Sequence, residues 1–237
     1  MKPKDRLIVA LDFDTEEKAL AAVEKLRNDV RFFKIGFELF SSCGPKIAAA
    51  VKKSGCDIFL DLKFHDIPNT VAKAARAVTR LGVYMFNVHA LGGYDMMKAA
   101  ADAAKDEAAK LKITPPKVLA VTILTSMDEI ALKKVGLTDK MEDEVLKLAM
   151  LAKDAGLDGV VASAKEAKSI RGKLGAGFLI VTPGVRPALA SNADQKRVAT
   201  PKSAVGDGAD LIVVGRPITE ALDMAAAARQ ILKEISL

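Results

Sequence analysis

The chain has 237 residues, half of them hydrophobic and 28% charged, which is ample for a large core and too mixed for a disordered or fibrous protein. A formal charge of +6 suits nucleic acid, a phosphorylated small molecule or plain solubility. Only 5% of residues are aromatic and the basic residues spread over helices, so no nucleic-acid-binding stripe is visible. The only cysteines, Cys43 and Cys56, share no ligand-like spacing with each other or with His65 and His89. They read as free thiols in a reducing compartment, and no metal site is expected.

Strands alternate with helices from end to end. The apolar runs predict eight strands: Leu7–Phe13, Phe32–Leu39, Asp57–Phe64, Tyr84–Ala90, Lys117–Leu124, Asp158–Ser163, Gly177–Pro183 and Asp210–Gly215. Most lack polar alternation, as parallel strands covered on both faces do. Between them, amphipathic patterns predict helices that include Thr15–Arg27, Asn69–Arg80, Gly93–Lys110, Glu142–Asp154 and Ile218–Ile235. Asp14 and Glu17 suggest a capping box for the first of these. The joins "GCDIFL", "GLDGVV" and "GADLIVV" repeat a pattern, with glycine closing a helix and aspartate opening a strand. Eight units of roughly thirty residues predict an α/β fold, a single (β/α)8 TIM barrel across residues 1–237. An open doubly wound sheet would want a glycine-rich turn after its first strand, and "LDFDTEE" is not one. No run is long enough to span a bilayer, and "MKPKDRLIVALDFD" is too short in its apolar part for a signal peptide. The expectation is a cytoplasmic protein with no membrane or nucleic-acid partner.

A barrel keeps its active residues at the carboxyl ends of its strands. There the first strand carries Asp12, and the second sets Lys34 among Phe32, Phe33, Ile35 and Phe37. In the third, "IFLDLKFHDIPNTV", Asp61 and Lys63 are two apart and point to the same face, while Leu62 and Phe64 point to the other. Asp66 follows the strand and reaches either back into its own site or out to a neighbour's. His65 and His89 read as structural histidines without a catalytic role. After the fifth strand Thr125 and Ser126 offer hydroxyls to a polar ring edge, Ser126 doubling as a candidate helix cap. The last two strands end "VTPGVRP" and "VVGRPIT", a setting in which barrels hold phosphate, with Gly215 allowing close approach and Arg216 presenting a planar fork. The segment "RPALASNADQKRVA" is long for its place and reads as a lid that brings Gln195 over a ligand.

With these residues in place, the chain resembles the orotidine 5'-phosphate decarboxylase family in its bacterial form, essentially from Leu7 to Leu232. "DLKFHDIPNTV" is similar to the family signature, and "NVHA", "VTILTS", "GLDGVV", "VTPGVRP", "DQKR" and "VVGRPIT" follow in the family's order. The resemblance implies an enzyme with no cofactor that converts orotidine 5'-monophosphate to UMP and CO2, the last step of de novo pyrimidine synthesis. It implies Lys63 as proton donor, with Lys34, Asp61 and Asp66 completing an alternating charge network. It implies a homodimer in which Asp66, Ile67 and Thr70 enter the neighbouring subunit's site. Asp12 and Lys34 would hold the ribose and Thr125 the pyrimidine edge. Pro183, Arg186, Gln195, Gly215 and Arg216 would form the phosphate region and its lid.

Two neighbouring chemistries compete. A Mg2+-dependent sugar-phosphate decarboxylase would want a further acid in place of Lys34. A Schiff-base aldolase would want a neutral lysine, which Lys63 between two acids is not expected to be.

Overall fold

The computed structural model describes residues 2–187 and 199–236. Eight parallel strands close on themselves in sequence order, the first pairing with both the second and the eighth. The first half runs β1 Leu7–Ala10, α1 Glu16–Leu26, β2 Phe32–Ile35, α2 Phe37–Cys43, α3 Lys46–Lys53, β3 Asp57–Phe64, α4 Pro68–Arg80 and β4 Met85–His89. It continues with α5 Gly93–Leu111, β5 Lys117–Val121, α6 Glu129–Lys134, α7 Met141–Asp154, β6 Gly159–Val161 and α8 Ala164–Leu174. The chain closes with β7 Leu179–Thr182, α9 Pro201–Gly206, β8 Leu211–Val214, α10 Arg216–Thr219 and α11 Met224–Glu234.

Two apolar layers hold the barrel. Ile8, Ala10, Phe32, Phe59, Met85, Leu119, Val121, Val161, Val181, Leu211 and Val213 fill its interior. The opposite faces of the same strands, with Leu7, Val9, Phe33, Ile35, Ile58, Leu60 and Phe86 among them, pack against the helices. Each strand therefore alternates between two dry environments, which is why its sequence shows no polar period.

The three glycine–aspartate joins have a common physical basis. Gly55, Gly156 and Gly208 all adopt positive φ, which ends the preceding helix at no steric cost. The aspartates two residues further on clamp the foot of the barrel. Asp158 accepts from the Val118 N–H and from Lys117 Nζ, and Asp210 accepts from the Ile180 N–H and Arg171. Asp57 takes Arg31 instead, at 2.6 Å. Each acid ties its strand to the one before it in sequence.

Several boundaries differ from expectation. β1 ends at Ala10 with one further ladder bond, from the Leu11 N–H to the Lys34 carbonyl, so Asp12 stands just beyond the strand. β2 stops at Ile35 because Gly36 is already the N-cap of the helix Phe37–Cys43. The cap of α1 is Thr15, whose hydroxyl accepts from the Lys18 N–H, while Asp14 pairs with the Lys18 ammonium. α6 is capped by Asp128, not Ser126. The expected helix Ile218–Ile235 is two, interrupted before the Asp223 cap of α11.

Candidate active site

Counting every second residue along the interior parity leads from apolar to charged positions at the carboxyl end. After Ile8 and Ala10 comes Asp12, after Phe32 comes Lys34, and after Phe59 come Asp61 and Lys63. The four side chains meet. Lys34 Nζ lies 2.9 Å from Asp12 Oδ1 and 3.6 Å from Asp61 Oδ2, and Lys63 Nζ lies 2.7 Å from Asp61 Oδ1. An unbroken chain of alternating charge, Asp12–Lys34–Asp61–Lys63, thus crosses the mouth from β1 to β3. Leu62 and Phe64 pack on the helix side.

Burial would raise the Asp61 carboxyl. The charges of Lys34 and Lys63, with hydrogen bonds from Lys63 and Asn87, overcome it and hold the group below the ordinary carboxylate value. Asp61 is therefore a fixed negative charge at neutral pH, with its side chain 13% exposed. Lys63 is the unusual member. Its φ of 45° lies in the left-handed region that side-chain-bearing residues avoid, where the β3–β4 register shifts between Leu60 and Phe64. Its ammonium also stands 5.4 Å from the centroid of the exposed Phe37 ring.

Asp66 is not part of this chain within the subunit. It is exposed, accepts a hydrogen bond from the Ile67 N–H, and forms no ion pair among the described residues. Ile67 and Thr70 are exposed beside it. A cavity of about 310 Å³ is lined by Lys63, His65, Asp66 and Thr70, so Lys63 borders the surface that carries Asp66.

Three of the other expected residues gather beyond the fifth and seventh strands. Thr125, Pro183 and Arg186 line one open cavity of about 910 Å³, together with Ser126 and Ser163. The Arg186 N–H donates to the Ala199 carbonyl. Gly215 faces the charge chain: a Cβ there would lie 3.6 Å from Asp12 Oδ2. Arg216, next in sequence, is exposed and makes no salt bridge among the described residues. Gln195 lies outside the described residues.

Sequence reasoning missed two contributors. Asn87, fully buried on β4, bonds to both Lys63 and Asp61. Its signal was an amide inside the apolar run "YMFNVHA", on the interior parity between Met85 and His89. Gly36 leaves room for Lys34, since a Cβ there would come 2.9 Å from the ammonium nitrogen. The two histidines stack, with ring centroids 5.5 Å apart. Burial first, then the nearby charges of His65 and Lys63, lowers the His89 pKa below its ordinary value.

A closed (β/α)8 barrel with fixed lysine–aspartate charges at its mouth, and arginines beyond its last two strands, belongs to the barrel enzymes that work on small anionic substrates. Comparison with known proteins makes the class definite. The orotidine 5'-phosphate decarboxylase / HUMPS family matches residues 5–231, and the chain belongs to that family.

The chain is 51% identical to the orotidine 5'-phosphate decarboxylase of Moorella thermoacetica, over all of this chain and 94% of that one. It is 48% identical to that of Syntrophomonas wolfei, over 99% of each. Among solved structures, the orotidine 5'-phosphate decarboxylase of Lactobacillus acidophilus superposes with a TM-score of 0.87 at 43% identity, covering 98% of this chain and all of that one. An uncharacterized conserved protein from Geobacillus kaustophilus gives a TM-score of 0.85 at 38% identity, covering 97% and 99% of the two chains.

Proposed function

We propose that the chain decarboxylates orotidine 5'-monophosphate to UMP without a cofactor, the step that ends de novo pyrimidine synthesis in the cytoplasm. The observation that carries this reading is the Asp12–Lys34–Asp61–Lys63 charge chain at the mouth of a barrel of this family.

The bond from C6 of the pyrimidine to its carboxylate breaks heterolytically. CO2 leaves, and the electron pair stays in an sp² orbital at C6 that the ring π system cannot delocalise. Lys63 stabilises that charge and delivers a proton from Nζ to C6, giving UMP, after which solvent reprotonates the amine. Asp61 holds the ammonium 2.7 Å away and keeps it aimed. It also faces the departing carboxylate, a crowding that loss of CO2 relieves. Asp12 and Lys34 take the ribose hydroxyls and Thr125 the pyrimidine edge. Pro183, Arg186, Gln195, Gly215 and Arg216 receive the phosphate.

One charge pair near 4 Å contributes about 4 kcal/mol at an effective dielectric of 20, roughly three decades of rate. That falls short for a carbanion with no delocalisation. The rest comes from preorganisation of the charges before substrate arrives and from binding energy at the phosphate end.

Asp66, Ile67 and Thr70 project from the subunit, which supports their entering the partner's site in a homodimer and bringing a second carboxylate to Lys63. The test is the loss of orotidine 5'-monophosphate absorbance, followed by UV difference spectroscopy in the presence of EDTA. Turnover is expected without metal. Absence of turnover, or dependence on added Mg2+, would favour the sugar-phosphate chemistry instead.

A further inference from the structure

Lys63 and Asp61 are held by a third side chain that no substrate-binding role accounts for. Where the β3–β4 register shifts, the Lys63 N–H has turned away from its ladder position with φ at 45°. An N–H out of its ladder still needs an acceptor, and Asn87 Oδ1 provides one at 2.8 Å. The same amide donates from Nδ2 to Asp61 Oδ1 at 2.7 Å, the oxygen that also receives the Lys63 ammonium. Both ends of the Asn87 amide are therefore fixed by what they face, a donor on one side and a carboxylate on the other. The side chain is 0% exposed.

We propose that Asn87 is a positioning residue, which locks the left-handed backbone of Lys63 and the carboxylate of Asp61 into one rigid unit. The inference rests on the reading of Lys63 as proton donor and adds the device that aims it. Neither aspartate nor leucine can replace the amide: aspartate accepts from Lys63 but has no proton for Asp61, and leucine does neither.

The test compares Asn87→Ala and Asn87→Asp with the wild type in kcat, in UMP affinity by calorimetry, and in hydrogen exchange at the Lys63 amide by NMR. A displacement on the order of 1 Å lowers kcat about 100-fold, and this loss is expected for both variants at pH 8 with UMP affinity little changed. In Asn87→Asp the new carboxylate meets the Asp61 carboxylate and the Lys63 N–H of β3, and Asp61 in turn faces the ammonium groups of Lys63 and Lys34. Two carboxylates in hydrogen-bond contact share a proton on acidification, which restores a donor to Asp61. The Asn87→Asp deficit should therefore narrow toward pH 5 while that of Asn87→Ala does not, and Lys63 amide exchange should quicken in Asn87→Ala.

Wild-type kcat in both variants overturns the proposal. So does a loss of kcat that tracks UMP affinity with unchanged exchange and no acid relief. If Asn87→Asp does not fold, Asn87→Ser replaces it. A hydroxyl both accepts and donates, so activity should recover above Asn87→Ala, and equality of the two overturns the proposal. Failure of the wild type to turn over orotidine 5'-monophosphate would sink the functional reading alone, because the exchange measurement needs no substrate.

Discussion

Replacing Lys63 by alanine and, separately, by glycine isolates the backbone conformation from the charge. Both variants remove the ammonium and its 2.7 Å contact with Asp61, so that loss cancels in the comparison. At an ordinary strand position glycine is the weaker of the two by about 0.5–1 kcal/mol, because it surrenders more freedom on folding. At φ 45° a residue with a Cβ carries a cost of roughly 1–2 kcal/mol that glycine does not. The balance reverses the usual order, and Lys63→Gly should be the more stable by about 0.5–1 kcal/mol.

Urea unfolding at fixed subunit concentration measures the difference directly, and in a chain of this length 1 kcal/mol moves Tm by about 2–4 °C. Turnover should be abolished in both variants while each still folds. Lys63→Gly equal to or less stable than Lys63→Ala would refute the left-handed assignment. Near-normal turnover in either would refute Lys63 as the donor.

Three further outcomes follow from the site. Asp66→Asn and Lys63→Ala chains, each inactive alone, should regain activity when mixed, because one site of each heterodimer then has both residues; subunits that exchange yet stay inactive would return Asp66 to its own subunit's site. Orotidine without its phosphate should react with a kcat/KM many decades lower, with inorganic phosphite restoring part of the rate in the wild type. Arg216→Ala should lose most of that rescue, and equal activation of the two would move the phosphate site elsewhere.

The last outcome concerns acid stability. Asp61 has a lowered folded pKa, so its ionised form favours the native state above the ordinary carboxylate value near 4, and the contribution disappears as pH falls through the folded value. The stability gap between wild type and Asp61→Asn should be full at pH 7 and close below pH ~4. A gap that stays constant into acid would show that the charge of Asp61 is not what stabilises it.

The interior parity carried most of what was legible beforehand. Period two alone placed Asp61 and Lys63 on one face and Leu62 and Phe64 on the other, and the structure keeps that division although Lys63 departs from regular strand geometry. The glycines of the three joins were equally readable, since a helix that must stop before a strand has few local ways to do so. Local rules failed where two of them competed. Thr15 rather than Asp14 caps α1 because the Asp14 carboxylate is taken by Lys18 one turn on. β2 looked four residues longer than it is because the run "GFEL" suits strand and helix alike.

What the chain's order of residues determined by itself is the eightfold alternation and the stations of charge at the strand ends, because both depend on contacts within a few residues. The partners of those charges depended on the barrel. Asn87 is 24 positions from Lys63 and 26 from Asp61, and Lys34 is 22 from Asp12. Only the register between neighbouring parallel strands brings such residues within 3 Å, and that register is set by packing of the whole interior layer. The outward reach of Asp66 and the left-handed turn at Lys63 belong to the same level, since each is a local conformation that is held by tertiary contacts rather than chosen by its own sequence.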